Sequence, residues 1–229
     1  MSLFAIADPH LSLGTDKPMD VFRGWDNYVD RLTENWKKLV TEDDTVVIGG
    51  DISWAMKLYE TEEDFKYLNS LPGKKLLLKG NHDYWWDTLS KINRYLEEKH
   101  FDSIRIIFNN SYEAGDYVIC GTRGWLIDSQ SDEDKHILSR ECGRLRLSLE
   151  SAKDSDKEKI VFLHYPPVYA NFKSDEMISI FKEYGVKKCY YGHIHGQNMI
   201  KNAFNGELDG ISYRLISCDA LRFTPILVR

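Results

Sequence analysis

The segment Thr45-Val-Val-Ile-Gly-Gly-Asp51 constrains this chain more than any other. A continuous Val/Ile run stopped by glycine suits a strand buried on both faces. Such strands belong to α/β sheets, where ligands collect at the strands' carboxyl ends. Asp51 is therefore placed as a site residue rather than a solvated loop acid. Four other runs end in the same way. Residues 3–7 lead to Asp8-Pro9-His10, 75–79 to Gly80-Asn81-His82-Asp83, 160–163 to His164, and 187–191 to Gly192-His193-Ile194-His195-Gly196.

Helical periodicity fills the intervals. Val21, Tyr28, Leu32, Trp36 and Leu39 recur at helical spacing over 21–40. Thr61-Glu62-Glu63-Asp64 opens a helix that Pro72-Gly73 ends, and another is expected over 88–98. Residues 132–152 and 175–184 read as two more. Strands over 104–108 and 117–120 are expected to flank a hairpin-like turn at Ala114-Gly115-Asp116. The last part reads as strands near 199–204, 211–217 and 222–228, a helix-free antiparallel meander with turns at Asn205-Gly206 and Asp209-Gly210. No repeat or linker divides the chain, so residues 1–229 are expected to form one mixed α/β domain.

Composition narrows the function classes. With 42% hydrophobic and 29% charged residues, the chain is ordinary globular protein. A net charge of −6 argues against nucleic acid bound through a broad basic face, but bound cations can reverse the local sign for an anionic substrate. The four cysteines lie far apart without a C-x-x-C pair, which fits a reduced chain. No apolar stretch approaches a membrane span, and the first residues lack the pattern of a signal peptide. A cytoplasmic protein with no membrane partner is expected.

The strand-end residues are metal donors. Asp8 and His10 lie two apart, as do His193 and His195, and on an extended backbone residues two apart point the same way. Five of the seven histidines fall at predicted strand ends; His100 and His136 do not, and read as surface residues. Carboxylate, carboxamide and imidazole together suit Mn, Fe, Zn or Co better than Ca. The set exceeds what one tetrahedral ion needs, which favours two ions.

In order, Asp8-x-His10, Gly50-Asp51, Gly80-Asn81-His82-Asp83, His164 and Gly192-His193-x-His195 resemble the calcineurin-like metallophosphoesterase superfamily. That resemblance implies a four-layer αββα sandwich of two mixed sheets flanked by helices. It also implies two divalent or trivalent transition-metal ions. Asp8, His10, Asp51 and His195 would hold one, and Asp51, Asn81, His164 and His193 the other, with Asp51 as the bridge. His82 would assist the leaving group, and Asp83 is a candidate to orient the His82 ring. The chemistry would be in-line attack on phosphorus by a water shared between the cations.

Serine/threonine protein phosphatases of this fold usually carry GDxVDRG and RGNHE. The present chain has Gly50-Asp51-Ile52-Ser53-Trp54 and Lys79-Gly80-Asn81-His82-Asp83, which puts phosphoprotein phosphatase activity in doubt. The chain is similar instead to compact bacterial-type phosphohydrolases. The expected activity is a phosphodiesterase on a small nucleotide-like or phospho-metabolite substrate. A phosphomonoesterase and a non-catalytic metal-binding scaffold are the alternatives. Arg123 is placed to reach a substrate phosphate or to serve a structural ion pair. Arg140 and Arg144, four apart on a helix, would meet one anion or an acidic neighbour. Asp83 reads equally as a helix N-cap. Trp54, Trp85 and Trp86 follow the motif residues, with core or rim packing expected for at least two of them.

Overall fold

The apolar runs that do not alternate turn out to be strands buried on both sides. A computed structural model describes residues 1–126 and 131–229. In chain order the strands are β1 (Leu3–Ile6), β2 (Thr45–Ile48), β3 (Lys74–Leu77), β4 (Ile104–Ile106), β5 (Tyr112–Ala114), β6 (Tyr117–Thr122) and β7 (Glu158–Leu163). They continue with β8 (Val168–Tyr169), β9 (Phe172–Lys173), β10 (Lys188–Tyr191), β11 (Gly206–Leu208), β12 (Ile211–Leu215) and β13 (Ile226–Leu227). The helices are α1 (Tyr28–Leu39), α2 (Glu62–Ser70), α3 (Leu89–Glu98), α4 (Asp132–Glu150), α5 (Asp175–Glu183) and the single turn α6 (Gln197–Ile200).

Two mixed sheets carry the fold. The first has the order β13-β1-β2-β3-β4, parallel except for β13; the second runs β11-β12-β10-β7-β6-β5, with antiparallel edges at β11 and β5. Strand residues alternate between two different cores. Phe4, Ile6, Val46 and Ile48 face Leu32, Trp36, Phe65, Leu68 and Ile92 of α1, α2 and α3. Leu3, Ala5 and Val47 face the other way and meet Ile119, Ile160, Phe162 and Tyr190 of the second sheet. Val118, Val161, Leu163 and Cys189 pack outward on Leu145, Leu149, Met177 and Phe181 of α4 and α5. Three apolar cores make four layers, as the resemblance implied. The apolar residues of these runs are buried on both faces, which is why no polar alternation was visible.

Both sheets send their parallel strands' carboxyl ends to one side, and there they are stitched together. Ala7 N–H donates to the Ile216 carbonyl (2.7 Å) and Cys218 N–H to the Ala7 carbonyl (2.9 Å). The tip of the first sheet is thereby fixed against the tip of the second.

Several expectations are corrected. The helix expected over 21–40 begins only at Tyr28, because Gly24 (φ 89°) and Asn27 (φ 49°) take left-handed backbone. The turn at Ala114-Gly115-Asp116 exists, but it joins β5 to β6; residues 104–106 pair with β3 in the other sheet. The expected strand over 199–204 is replaced by α6, since Met199, Ile200 and Ala203 satisfy helical as well as extended spacing. The strand over 222–228 shrinks to β13 because Arg222 and Phe223 are left-handed (φ 52° and 59°). No meander forms: β12 lies parallel to β10, and β13 crosses to the first sheet. The Asp209-Gly210 turn does close the β11–β12 hairpin, both residues at positive φ as such a turn requires.

Candidate metal centre

Each donor side chain hangs from the first residues beyond a strand. Asp8 and His10 follow β1, Asp51 follows β2, Asn81 follows β3, His164 follows β7, and His193 and His195 follow β10. Extended backbone is not what brings the pairs together. Asp8 (φ 59°), His10 (φ 44°), Asp51 (φ 50°) and His193 (φ 70°) are all left-handed, which turns the chain sharply as each strand ends. That conformation costs an L-residue roughly 1–2 kcal/mol, and such strain collects at functional sites where surrounding structure enforces it.

Close approach also demands particular glycines. A Cβ on Gly80 would overlap the Asp51 carboxylate, and one on Gly192 would strike Ala7 Cβ at 2.7 Å and the Asp8 carboxylate. Main-chain donors then hold the acids. His193 N–H donates to both Asp8 oxygens (3.0 Å each), and His82 N–H donates to Asp51 Oδ1 (2.7 Å).

Two donor sets result. Asp8, His10, Asp51 and His195 present ligand atoms within 4.8 Å of one another, and so do Asp51, His164 and His193. In the first set His10 Nε2 lies 3.1 Å from His195 Nε2 and 3.7 Å from Asp51 Oδ2, and His195 Nε2 lies 3.4 Å from Asp8 Oδ1. In the second, Asn81 Oδ1 lies 2.7 Å from His164 Nε2 and 2.9 Å from His193 Nδ1, while His164 Nε2 is 3.5 Å from Asp51 Oδ2. Two ligand bonds of about 2.1 Å meeting at ordinary angles leave their donors roughly 3–3.5 Å apart. The spacings, from 2.7 to 3.7 Å, bracket that range. Asp51 belongs to both sets.

The protonation pattern agrees. Burial, and after it the charge of His195, pushes His10 well below its ordinary pKa; burial, and after it His164, lowers His193 to about 3; burial lowers His164 as well. Neutral imidazoles offer lone pairs to a cation. Burial works against a charged His195, but the Asp8 and Asp219 carboxylates outweigh it and raise its pKa to about 10. Burial would raise Asp8, yet His195, His164 and His10 hold it below the carboxylate range; burial and the Asp8 charge push Asp51 upward. A cation at these groups would compete with protons for His195 and Asp51.

Buried acids brace the loops. Asp83 accepts from the N–H groups of Gly80 (2.7 Å), Ile52 (2.8 Å) and Ser53 (3.3 Å) and from Trp85 Nε1 (3.0 Å). His82 Nδ1 is buried without a hydrogen-bond partner, so Asp83 does not orient that ring; nor does it cap α3, which begins at Leu89. It ties the Asp51 loop to the Asn81 loop instead. Asp64 likewise accepts from Leu13 N–H (2.7 Å) and pairs with Ser53 Oγ, joining the His10 and Asp51 loops.

The half-buried His82 ring stands 4.6 Å from Trp54 and 5.6 Å from His10, outside both donor sets. Trp54 stacks on His10 at 5.0 Å, whereas Trp85 is core and Trp86 packs against it. His100 and His136 are exposed. Arg123 pairs with Glu141 at 3.7 Å, as do Arg140 (4.0 Å) and Arg144 (3.0 Å), so the anion they share is a fully buried helix residue. Two residues escaped the sequence reading. Asp219 accepts from Gly196 N–H (2.7 Å) and lies 3.4 Å from His195 Nδ1, the outer partner that fixes a ligand imidazole. Its signal was weaker, an acid shortly after the alternating strand segment 211–217. Glu141 is in helical phase with Leu138 and Leu145, which marks it as inward-facing.

A profile described as calcineurin-like phosphoesterase matches residues 1–197. The chain belongs to the calcineurin-like phosphoesterase family. The sequence matches no curated protein. Among solved structures, phosphopantetheinyl hydrolase (PptH) from Mycobacterium tuberculosis superposes with a TM-score of 0.59 at 14% identity, over 99% of this chain and 95% of that one. A protein of unknown function, AQ665 from Aquifex aeolicus, gives 0.53 at 16% identity over 99% and 95%. At such identities the likeness speaks for the fold alone. For this calcineurin-like phosphoesterase, family membership and the two donor sets support metal-dependent ester hydrolysis with two divalent ions. Among the described residues, no helix is long and apolar enough to cross a membrane.

Proposed function

We propose that this chain hydrolyses phosphodiesters of small nucleotide-like or phospho-metabolite compounds in the cytoplasm. Two transition-metal ions would be held by Asp8, His10, Asp51 and His195 and by Asp51, Asn81, His164 and His193. The observation that carries the reading is the position of Asp51 Oδ2, 3.7 Å from His10 Nε2 and 3.5 Å from His164 Nε2, one carboxylate shared by both sets. Bound ions of this kind supply Lewis acidity to a phosphate ester.

The chain's own residues supply the rest. His164 Nδ1 lies 3.1 Å from the Gly49 carbonyl, and donating there leaves Nε2 bare toward the second set. Asp219 holds His195 by the opposite nitrogen from the one facing Asp8. Trp25 and Trp54 cover the His10 ring and keep water from it. His82 stands at the rim, placed to give a proton or a hydrogen bond to a departing oxygen. Burial, then the charges of His164 and His195, lower its pKa, so its acid form grows as pH falls below the usual histidine range. Aromatic rings flank both sides of the centre, Trp54 beside His82 and Tyr165 4.2 Å from His193. Two flanking surfaces suit a phosphorus carrying two organic groups, which favours a diester.

Manganese-loaded protein should cleave bis-p-nitrophenyl phosphate faster than p-nitrophenyl phosphate, and a chelator should abolish both rates. The reverse preference would make the enzyme a monoesterase. Absence of turnover with Mn, Fe, Zn and Co alike would leave a metal-binding scaffold.

A further inference from the structure

A lysine from the loop after β1 leans over Trp54, at the edge of the metal centre, and not toward the acids beside it in the chain. Leu11 N–H donates to the Ile52 carbonyl and Trp54 N–H to the Leu11 carbonyl (2.9 Å each), so the loop leaving β1 runs along the loop leaving β2. Asp64 holds Leu13 N–H at 2.7 Å, and the Met19 side chain is buried. Between these two anchors the chain carries Lys17, exposed, with Pro18 restricting the backbone after it. Lys17 Nζ lies 5.1 Å from the centre of the Trp54 ring. Asp16 and Asp20 are close in sequence, yet no carboxylate of the described residues comes within 4.0 Å of that ammonium.

Trp54 connects Lys17 to the chemistry. Its ring is stacked on His10 at 5.0 Å and lies 4.6 Å from His82, the group placed to meet a departing oxygen. His82 Nδ1 is closed in by protein, so Nε2 is the nitrogen left to face a substrate. The exposed Tyr84 ring stands edge-on to His82 at 6.0 Å. A tryptophan and a tyrosine thus flank His82, and an ammonium lies over the tryptophan. A cation resting on an exposed aromatic face is weakly held, whereas an oxyanion offers it opposite charge and a hydrogen bond together. Arg123, Arg140 and Arg144 are already answered by Glu141, but Lys17 keeps its charge for a ligand.

We propose that Lys17 determines specificity on the leaving-group side. It binds an oxyanion carried by the departing alcohol, while Trp54 and Tyr84 wall that alcohol on either side of His82. The substrate class narrows accordingly to phosphodiesters whose leaving alcohol bears a negative charge of its own. Assigning the anion to the leaving group rests on the phosphoesterase reading; the affinity of Lys17 for an anion beside Trp54 does not.

The test has two arms. Manganese-loaded protein is given p-nitrophenyl methyl phosphate, the same diester with a carboxylate on the nitrophenyl ring, and one with the carboxylate on the retained methyl group. The kcat/KM of each carboxylated ester is divided by that of the unsubstituted one. Comparing these quotients between wild type and variant cancels the intrinsic reactivity of the leaving groups. Lys17→Gln should lower the leaving-group quotient about 5-fold, between the effect of an exposed ion pair and that of a charge-assisted hydrogen bond. The retained-group quotient should change by less than about 2-fold, and Lys17→Arg should keep the leaving-group quotient within about 2-fold of wild type. Thermal melting verifies that both variants fold. In the second arm, 3-hydroxybenzoate and phenol are titrated into zinc-loaded protein and followed at the Trp54 indole NMR resonance, assigned with Trp54→Phe. Wild type should bind 3-hydroxybenzoate about 5-fold more tightly than phenol, and Lys17→Gln should abolish that advantage. A leaving-group quotient unchanged in Lys17→Gln, or equal losses at both carboxylate positions, overturns the specificity role. If wild type cleaves none of the esters, the phosphoesterase reading fails, and the titration alone decides the anion site. A Trp54 resonance that does not respond, or equal binding of 3-hydroxybenzoate to wild type and Lys17→Gln, overturns that site.

Discussion

The two sheets contribute unlike things to the same centre. From the first come both carboxylates, the carboxamide and one imidazole: Asp8, Asp51, Asn81 and His10. From the second come only imidazoles: His164, His193 and His195. The acids are sealed, Asp8 at 0% and Asp51 at 1% exposure, whereas the His195 side chain keeps 28% at the rim. Neither sheet alone completes a donor set. The negative charge is therefore buried between layers that must pack before a cation can be held, and the imidazoles close over it from the other side.

This contrast can be broken most severely at Asp51. Asp51→Ala should remove both metals by elemental analysis and lower turnover by more than the roughly 10–100-fold typical of outer partners. Asp8→Ala should mainly weaken one ion. Equal, single-metal losses in the two variants would refute the shared carboxylate. His82 lies on the first sheet's side but outside both sets, so His82→Ala should cost about 10²–10⁴-fold in kcat with both metals retained. Loss of a metal there would place His82 among the donors. On the second sheet's side, Asp219→Asn should loosen only the His195 ion, by about 10–100-fold in metal affinity, with the other ion unchanged. An unaltered affinity for both would reduce Asp219 to a loop brace.

The smallest effect on turnover is expected beneath the first sheet's loops, at Asp64. Burial, partly offset by Ser53 and Leu13, raises its pKa from 3.8 to about 6. The folded chain therefore binds this proton more tightly than the unfolded one, and wild-type stability should fall as pH rises from about 4 through 6. Asp64→Asn lacks that loss and should gain roughly 3 kcal/mol on wild type between pH 4 and pH 8. Parallel stability curves for the two proteins, measured by urea denaturation, would show that Asp64 stays charged in the fold.

Much of the centre was legible because its residues punctuate apolar runs. Asp8, His10, Asp51, Asn81, His164, His193 and His195 each follow a strand whose composition shows burial on both faces. Asp219 follows β12, whose alternating buried and exposed residues lack that mark, so it was harder to read. Glu141 was masked by the surrounding charges of a long helix, although its phase with Leu138 and Leu145 points inward. The role of Asp83 was not readable. Its partners, Ile52 and Ser53, come from a different strand end and are backbone groups, which leave no mark on side-chain identity.

By itself, then, the sequence determined the element types, the double burial of the strands and the family of donors, since these depend on local periodicity and residue chemistry. Tertiary structure decided which sheet each strand joins, as with β4, β12 and β13, because register and partner depend on packing between segments far apart in the chain. It also decided that the paired donors converge through left-handed turns rather than through a pleat. Those conformations are unfavourable locally and persist only where stitched sheets and buried acids hold the loops. The division of donors into two sets sharing Asp51 belongs to that level as well, because it exists only across the contact of the two sheets.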